Sequence, residues 1–365
     1  MSAQVDSGRR QGLRSESGYS LVELLISSAV MLTVTGAIFG LMNPAQGTTQ
    51  AQTEVADMQQ RMRVASDAIF KELVMAGAGV YQGATTGSLL NFFAPVLPRR
   101  GGDGPTVFRD DALLLTYIPN NYSQTTISSP MPPNSNELKV TDVPNCPKHD
   151  QLCGFEAGMV VIIFDDAGHF DTFEITKVQD DAAHLQHQGY DLNYAFQTGA
   201  HITQGSRAGF YRDSTTNQLR KTNGWTGNTP LVDDMVDLKF AYFGDPNPPK
   251  YPKPLAGEAN CLYDASGNLL PLPVLPLADG SLSALTGAIL TDGPFCGSGL
   301  NQYDADLLRI RKIRATMRMQ VASSSLRGGN TSLWTNPGKS QGGARSVPDY
   351  TVTFEMAPRN LNLSR

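Results

Sequence analysis

The chain has 365 residues, of which 40% are hydrophobic and 17% charged, and a formal net charge of −5. That is enough apolar material for a substantial core, as one large domain or two small ones. An acidic balance with no dominant basic stripe argues against nucleic-acid binding as the main role, while 35 Gly and 23 Pro point to a β-rich domain with long loops.

Residues 1–18 form a short polar leader carrying Arg9, Arg10 and Arg14. The stretch from Tyr19 to Met42 then runs for 24 residues with one formal charge, Glu23. As a helix it is about 36 Å long, against a bilayer core of about 30 Å. The leader arginines set the side expected to stay cytoplasmic. A carboxylate in such a helix costs about 2.5–3.5 kcal/mol at mid-membrane and calls for a partner. No second stretch is long and apolar enough to span a membrane, so a single pass is expected, with everything after Met42 on the far side. An uncleaved signal anchor with a stray Glu is the simpler alternative. Gly36 and Gly40 make a GxxxG of the kind that allows close helix approach, but small residues are common in such helices and general helix packing explains it better than a specific dimer motif.

The helical pattern weakens at Asn43–Pro44, where a kink or a new helix is expected because Pro lacks the amide donor. It resumes with Met58, Met62, Ala65, Ile69 and Leu73 at three- and four-residue intervals, an amphipathic continuation over 43–79. Ala76-Gly77-Ala78-Gly79 is a candidate C-cap. Residues 80–365 are expected to form a β-rich globular head. Asp111–Pro119 reads as a strand buried on both faces, and Leu138–Val143 as another. Met159–Phe164 and Asp171–Val178 form a hairpin about the turn Asp165-Asp166-Ala167-Gly168, with a shorter hairpin from Ala208–Asp213 and Gln218–Lys221. Three later segments alternate apolar and polar residues about Val236–Phe243, Ile313–Val321 and Tyr350–Met356, as antiparallel sheets covered on one face do. Between the first two of these lies a Pro- and Gly-rich insertion, 245–300. Ser323–Ser346 is a second polar, Gly-rich connection, expected to be mobile.

Cys146, Cys153, Cys261 and Cys296 all follow Met42 and so belong in an oxidising compartment. Four cysteines allow three pairings. Nearest-neighbour pairing is expected, each bond worth roughly 2–4 kcal/mol in the chain-entropy account. The spacing is wrong for a metal site. His184 and His187 are three apart in a strand or loop and share no helical face. Asp165, Asp166 and Asp171 lack the EF-hand spacing and read as solvated turn carboxylates. Gly77-x-Gly79 follows a helix, so it is no dinucleotide fingerprint. Neither GxSxG nor HExxH occurs. No catalytic, cofactor or metal site is expected.

Gly18 followed by Tyr19, Ser20, two aliphatics and Glu23 resembles the processing signal of type IV prepilins and type II secretion pseudopilins. The phrases LRKTNG (219–224), PLVDDMVDLKFAYFGD (230–245), IRKIRATMRMQV (310–321) and FEMAPRNL (354–361) resemble the head of minor pilins of the PilW type, similar in plan to pseudopilin J. The resemblance covers most of the chain in order, the leader motif being the more specific part. It implies an α+β, pilin-like fold, with a long N-terminal helix packed on an antiparallel head. It also implies cleavage after Gly18 by a prepilin peptidase, N-methylation of Tyr19, and a filament-assembly role for Glu23. The implied partners are other minor pilins, the major pilin, the bacterial inner membrane and a tip adhesin. The implied role is in a complex that primes pilus assembly, with the head in the periplasm and then at the pilus tip, and no enzyme activity. Tyr19 and Ser20 depart conservatively from the family's usual Phe and Thr. The insertion is longer than pseudopilin J suggests, which favours a pilus over a secretion system. Two alternatives stand beside this: a minor pseudopilin of a type II secretion system, and a membrane-anchored adhesive module whose specificity lies in the insertion.

Overall fold

The computed structural model describes residues 18–80, 89–119, 123–189, 191–224, 227–340 and 345–362. The leader therefore lies outside the described residues, save Gly18. Helix α1 spans Leu21–Met75. In its second half Ala51, Met58, Met62, Ala65, Ile69 and Leu73 are all buried, a single face at helical spacing. The helix runs through Pro44 without a second helix beginning there. One lost backbone hydrogen bond, about 3 kcal/mol, is outweighed by the docking of the half that follows.

The helix ends in a tight reversal. Gly77 and Gly79 have φ of +71° and +73°, and a Cβ on Gly79 would lie 2.6 Å from Cβ of Ile118. Only glycine combines that conformation with that approach. The chain is then pinned by Gly77 N donating to Thr116 O (3.2 Å) and Ile118 N to Ala78 O (2.8 Å).

The head is antiparallel throughout the described residues. Its strands begin with β1 (Val96–Leu97), β2 (Ala112–Tyr117), β3 (Gln124–Thr126), β4 (Glu137–Lys139) and β5 (Val160–Phe164). There follow β6 (Phe170–Glu174), β7 (Lys177–Gln179), β8 (His184–Gln186), β9 (His201–Asp213), β10 (Gln218–Thr222) and β11 (Asn228–Val232). The last are β12 (Met235–Gly244), β13 (Ser283–Leu285), β14 (Phe295–Cys296), β15 (Tyr303–Asp304), β16 (Ile310–Met319) and β17 (Tyr350–Met356).

The long strand β9 is the spine of the first sheet. Its first half pairs with β3 and β5, and its second half with β2 and β10. The second sheet has the order β13-β12-β16-β17, and β4-β8-β7 make a third. Two cores result. Ile162 and Phe164 of β5 face the main core with α1, whereas Val161 and Ile163 face a second core with Leu138, Phe173 and Leu185. A strand covered on both sides has no alternation, which is why Val160–Phe164 is a continuous apolar run.

The expected α+β plan of one long apolar N-terminal helix and an antiparallel head is thus present. Several boundaries differ. The segment expected as one strand over Asp171–Val178 is two, β6 and β7, in different sheets; Thr176 N turns to Gln186 O (2.8 Å) between them. The strand expected over Leu138–Val143 is only β4, Glu137–Lys139. Strand β11 escapes a reading of periodicity because it contains Pro230. It lies at the end of its sheet, where a missing donor is tolerated.

Candidate functional site

The exposed end of α1 is built from its first turn upward. Ser20 is the N-cap, its Oγ accepting from Val22 N at 3.2 Å. Glu23 lies in that first turn, where free backbone donors favour a carboxylate. Beyond it the hydroxyls are turned back onto the backbone: Ser27 Oγ donates to Glu23 O (2.6 Å), Ser28 Oγ to Leu25 O (2.9 Å) and Thr33 Oγ1 to Ala29 O (2.8 Å). Bonding of this kind hides side-chain polarity inside the helix. The outer surface from Leu21 to Met42 is consequently apolar apart from Glu23 and the half-exposed Thr35, and no described residue of the head covers it. Its mean hydropathy reaches 2.1, and the helix is long and apolar enough to cross a membrane. Around Gly36 and Gly40 the space is open.

The second half of α1 is fastened to the head by charge as well as by its apolar face. Arg61 reaches Asp57 (2.9 Å) and Asp234 (2.8 Å). Lys221 pairs with Glu72 at 2.6 Å, and Ala322 N donates to Glu54 at 3.1 Å. Phe70 lies 6.2 Å from Phe354 of β17, and both remain partly exposed. The exposed helix and the head therefore form one continuous unit.

The four cysteines form two disulfides, Cys146–Cys153 and Cys261–Cys296. The second lies within the 245–300 insertion, which is tied to the sheet by β13 on β12 and by the buried Leu262 and Leu275. The connection after β16 is held by Trp334, buried, with Nε1 donating to Val347 O at 2.7 Å.

The histidines are dispersed. His149 pairs with Asp181 (3.1 Å), and His184 contacts Glu137. His201 stacks on Phe164, and His187 is buried beside Phe173. His169 pairs with Asp165 at 2.8 Å, which raises its pKa.

Asp171 corrects the sequence reading. It is not a solvated turn carboxylate but buried at the start of β6. Its oxygens accept from Thr172 N (3.0 Å), Asn193 N (2.5 Å) and Asn301 Nδ2, and burial lifts its pKa to about 6 despite those bonds. It forms part of a cleft of about 220 Å³ that also has Arg99, Arg100 and Arg207 in its walls.

A further group was missed in the sequence. Asp292, Asp304 and Asp306 lie together, their ligand atoms within 4.8 Å of one another. Asp304 is engaged as a cap, accepting from Asp306 N (2.7 Å) and Gly293 N (2.5 Å), and Asp306 pairs with buried Arg309 at 2.8 Å. Burial raises Asp304 to about 6 and Asp306 to about 7, outweighing the attraction of Arg309. The local signal was D-x-D with Arg three residues on, at 304–309. A larger cavity of about 340 Å³ opens beside the insertion, with Asp245, Lys250, Tyr251 and Arg311 in its walls. Comparison with protein-family models, with curated proteins and with solved structures found no match for this chain.

Proposed function

We propose that this chain is a minor-pilin-type subunit of a type IV pilus, processed after Gly18 and taking part in the complex that primes assembly. The observation that carries this reading is the uncovered apolar surface of Leu21–Met42 with Glu23 as its one carboxylate, on a helix continuous with a docked head. Such a helix serves two environments in turn. In the inner membrane its partner is lipid. In a filament its partner is the same helix of neighbouring subunits, and losing the leader while keeping the helix lets the subunit pass from one to the other. The amine that cleavage creates at Tyr19 then lies in an apolar bundle, where an unpaired charge is costly. Glu23 of a neighbour neutralises it. The partners in this account are a prepilin peptidase, other minor pilins, the major pilin and a tip adhesin, with the head in the periplasm before assembly.

The deciding experiment is the mass and N-terminal sequence of the protein recovered from membranes. A chain that begins at N-methylated Tyr19 supports the proposal. A chain that begins at Met1, or is cut after the apolar stretch, overturns it. Deleting the gene then separates the two filament systems, since loss of pili with intact secretion assigns the subunit to the pilus and the reverse to a type II secretion pseudopilus.

A surface-binding role is favoured by one further observation: Leu255, Val274 and Leu277 of the insertion are all exposed. Excising the insertion would remove β13 and its buried leucines, so the test is substitution. Filaments that persist in L255S/V274S/L277S while surface attachment falls would assign attachment to this loop.

A further inference from the structure

Three arginines meet at the 220 Å³ cleft: Arg99 and Arg100 from the loop after β1, and Arg207 from the middle of β9. Two glycines bring these segments together. A Cβ on Gly101 would lie 2.4 Å from Cα of Gly224, and one on Gly224, where φ is +86°, would lie 3.6 Å from Nη1 of Arg207. The Arg-Arg-Gly-Gly loop and the β10–β11 connection thus touch backbone to backbone beside the cleft.

Arg99 is 4% exposed. It donates one long hydrogen bond, Nη2 to Gln302 O at 3.3 Å, and among the described residues no carboxylate forms an ion pair with it. Burial lowers its pKa, and the one acidic group that offsets this, Asp103, is itself paired with Arg109 at 2.8 Å. Arg100 stacks on Tyr211 with its guanidinium carbon 4.1 Å from the ring centroid and donates Nη2 to Arg212 O at 3.1 Å, and its Nε has no hydrogen-bond partner among the described residues. The other carboxylates of the cleft do not balance Arg99. Asp171 is held by Asn193, Asn301 and Thr172, and Asp191 is exposed. A buried guanidinium with one long hydrogen bond and no ion-paired carboxylate among the described residues is a charge that calls for an anion.

We infer that this cleft binds a phosphate group, with Arg99 as the principal ligand and Arg100 and Arg207 beside it. Guanidiniums presented from a loop and from a strand suit an anion with three terminal oxygens better than a planar carboxylate with two. A space of about 220 Å³ leaves room beside the phosphate for the body of a small phosphomonoester. The assignment stands on the head alone and does not depend on the filament reading.

The test is titration calorimetry on the full chain in detergent with inorganic phosphate, glycerol 3-phosphate and acetate. Saturable phosphate binding, at least ~10-fold tighter than acetate, is expected. R99Q and R207Q should each weaken it by ~10-fold or more, with K253Q, on the insertion and outside the walls of the cleft, unchanged. Tighter binding of glycerol 3-phosphate assigns the site to a phosphomonoester, and tighter binding of the free ion assigns it to inorganic phosphate. If R99Q does not fold, the part-exposed R207Q carries the test. No saturable heat up to about 10 mM phosphate, acetate binding as tightly, or wild-type affinity in the folded arginine variants would overturn the inference.

Discussion

Arg61 of α1 reaches across 173 residues to Asp234, with Nη1 2.8 Å from Oδ2, and the same nitrogen donates to Asp233 O at 2.9 Å. Asp234 occupies the turn between β11 and β12 with φ of 58°, and its other oxygen accepts from Gln320 at 3.2 Å. The pair joins the helix to the sheet where both side chains are mostly buried, 14% and 23% exposed. Arg61→Met should therefore cost about 1.5–3 kcal/mol, because the carboxylate is left without its cation. Urea unfolding of the full chain measures it, and a double-mutant cycle with Asp234→Asn isolates the pair. An R61M midpoint equal to wild type would show that apolar packing alone holds the helix down.

Stability should fall as pH rises from about 4 to about 7. Burial raises Asp171 and Asp304 to about 6 and Asp306 to about 7, against an unfolded value near 4. In that window the folded state holds more protons than the unfolded state, so raising the pH favours unfolding. His169, raised by Asp165, acts in the same direction above its ordinary value near 6.5. His187, lowered by burial, opposes it as pH falls through the same value. The urea midpoint is expected to be higher at about pH 5 than at about pH 7.5, and Asp306→Asn should flatten the dependence. A wild-type midpoint that climbs over this range would mean that these carboxyls are ionised at little cost.

The two disulfides should differ in weight. Cys261 and Cys296 are separated by 35 positions, Cys146 and Cys153 by 7. Loop-closure entropy then assigns about 4 kcal/mol to the first and about 2 kcal/mol to the second. C261S/C296S should show the larger drop in urea midpoint, and a smaller drop than in C146S/C153S would show that native contacts, not chain entropy, dominate.

On the proposed filament reading, which places the cut after Gly18, Gly18→Ala should accumulate at precursor size in an immunoblot of membranes. Glu23→Val should reach mature size but fall by ~10-fold or more in sheared filaments, the loss of one buried charge pairing. Wild-type amounts of the E23V subunit in filaments would remove Glu23 from the assembly step.

The helix was legible because its information is local. Met58, Met62, Ala65, Ile69 and Leu73 mark one face by spacing alone, and Tyr19–Met42 marks itself by length and by having a single charge. The alternation of Ile313, Ala315, Met317 and Met319 with Arg314, Thr316 and Arg318 identified β16 in the same way, and the former four are buried while the latter three are half-exposed. Period and composition are properties of a window, so a window suffices to read them.

Other features required the tertiary structure. Asp171 reads as a turn carboxylate because in sequence it stands, with Asp165 and Asp166, beside the hairpin turn that ends at Gly168. Its burial comes from Asn193 and Asn301, 22 and 130 positions away. Strand β9 serves two sets of partners, and β5 divides two cores, neither of which leaves a period to detect. The cleft of Arg99, Arg100 and Arg207 exists because Gly101 and Gly224 allow two distant loops to touch. The sequence by itself determined the apolar helix, its lone carboxylate and the β character of the head, since these follow from local composition and spacing. Only the tertiary structure decided which charges are buried and which of them meet, because desolvation and contact depend on what the rest of the chain places around each group.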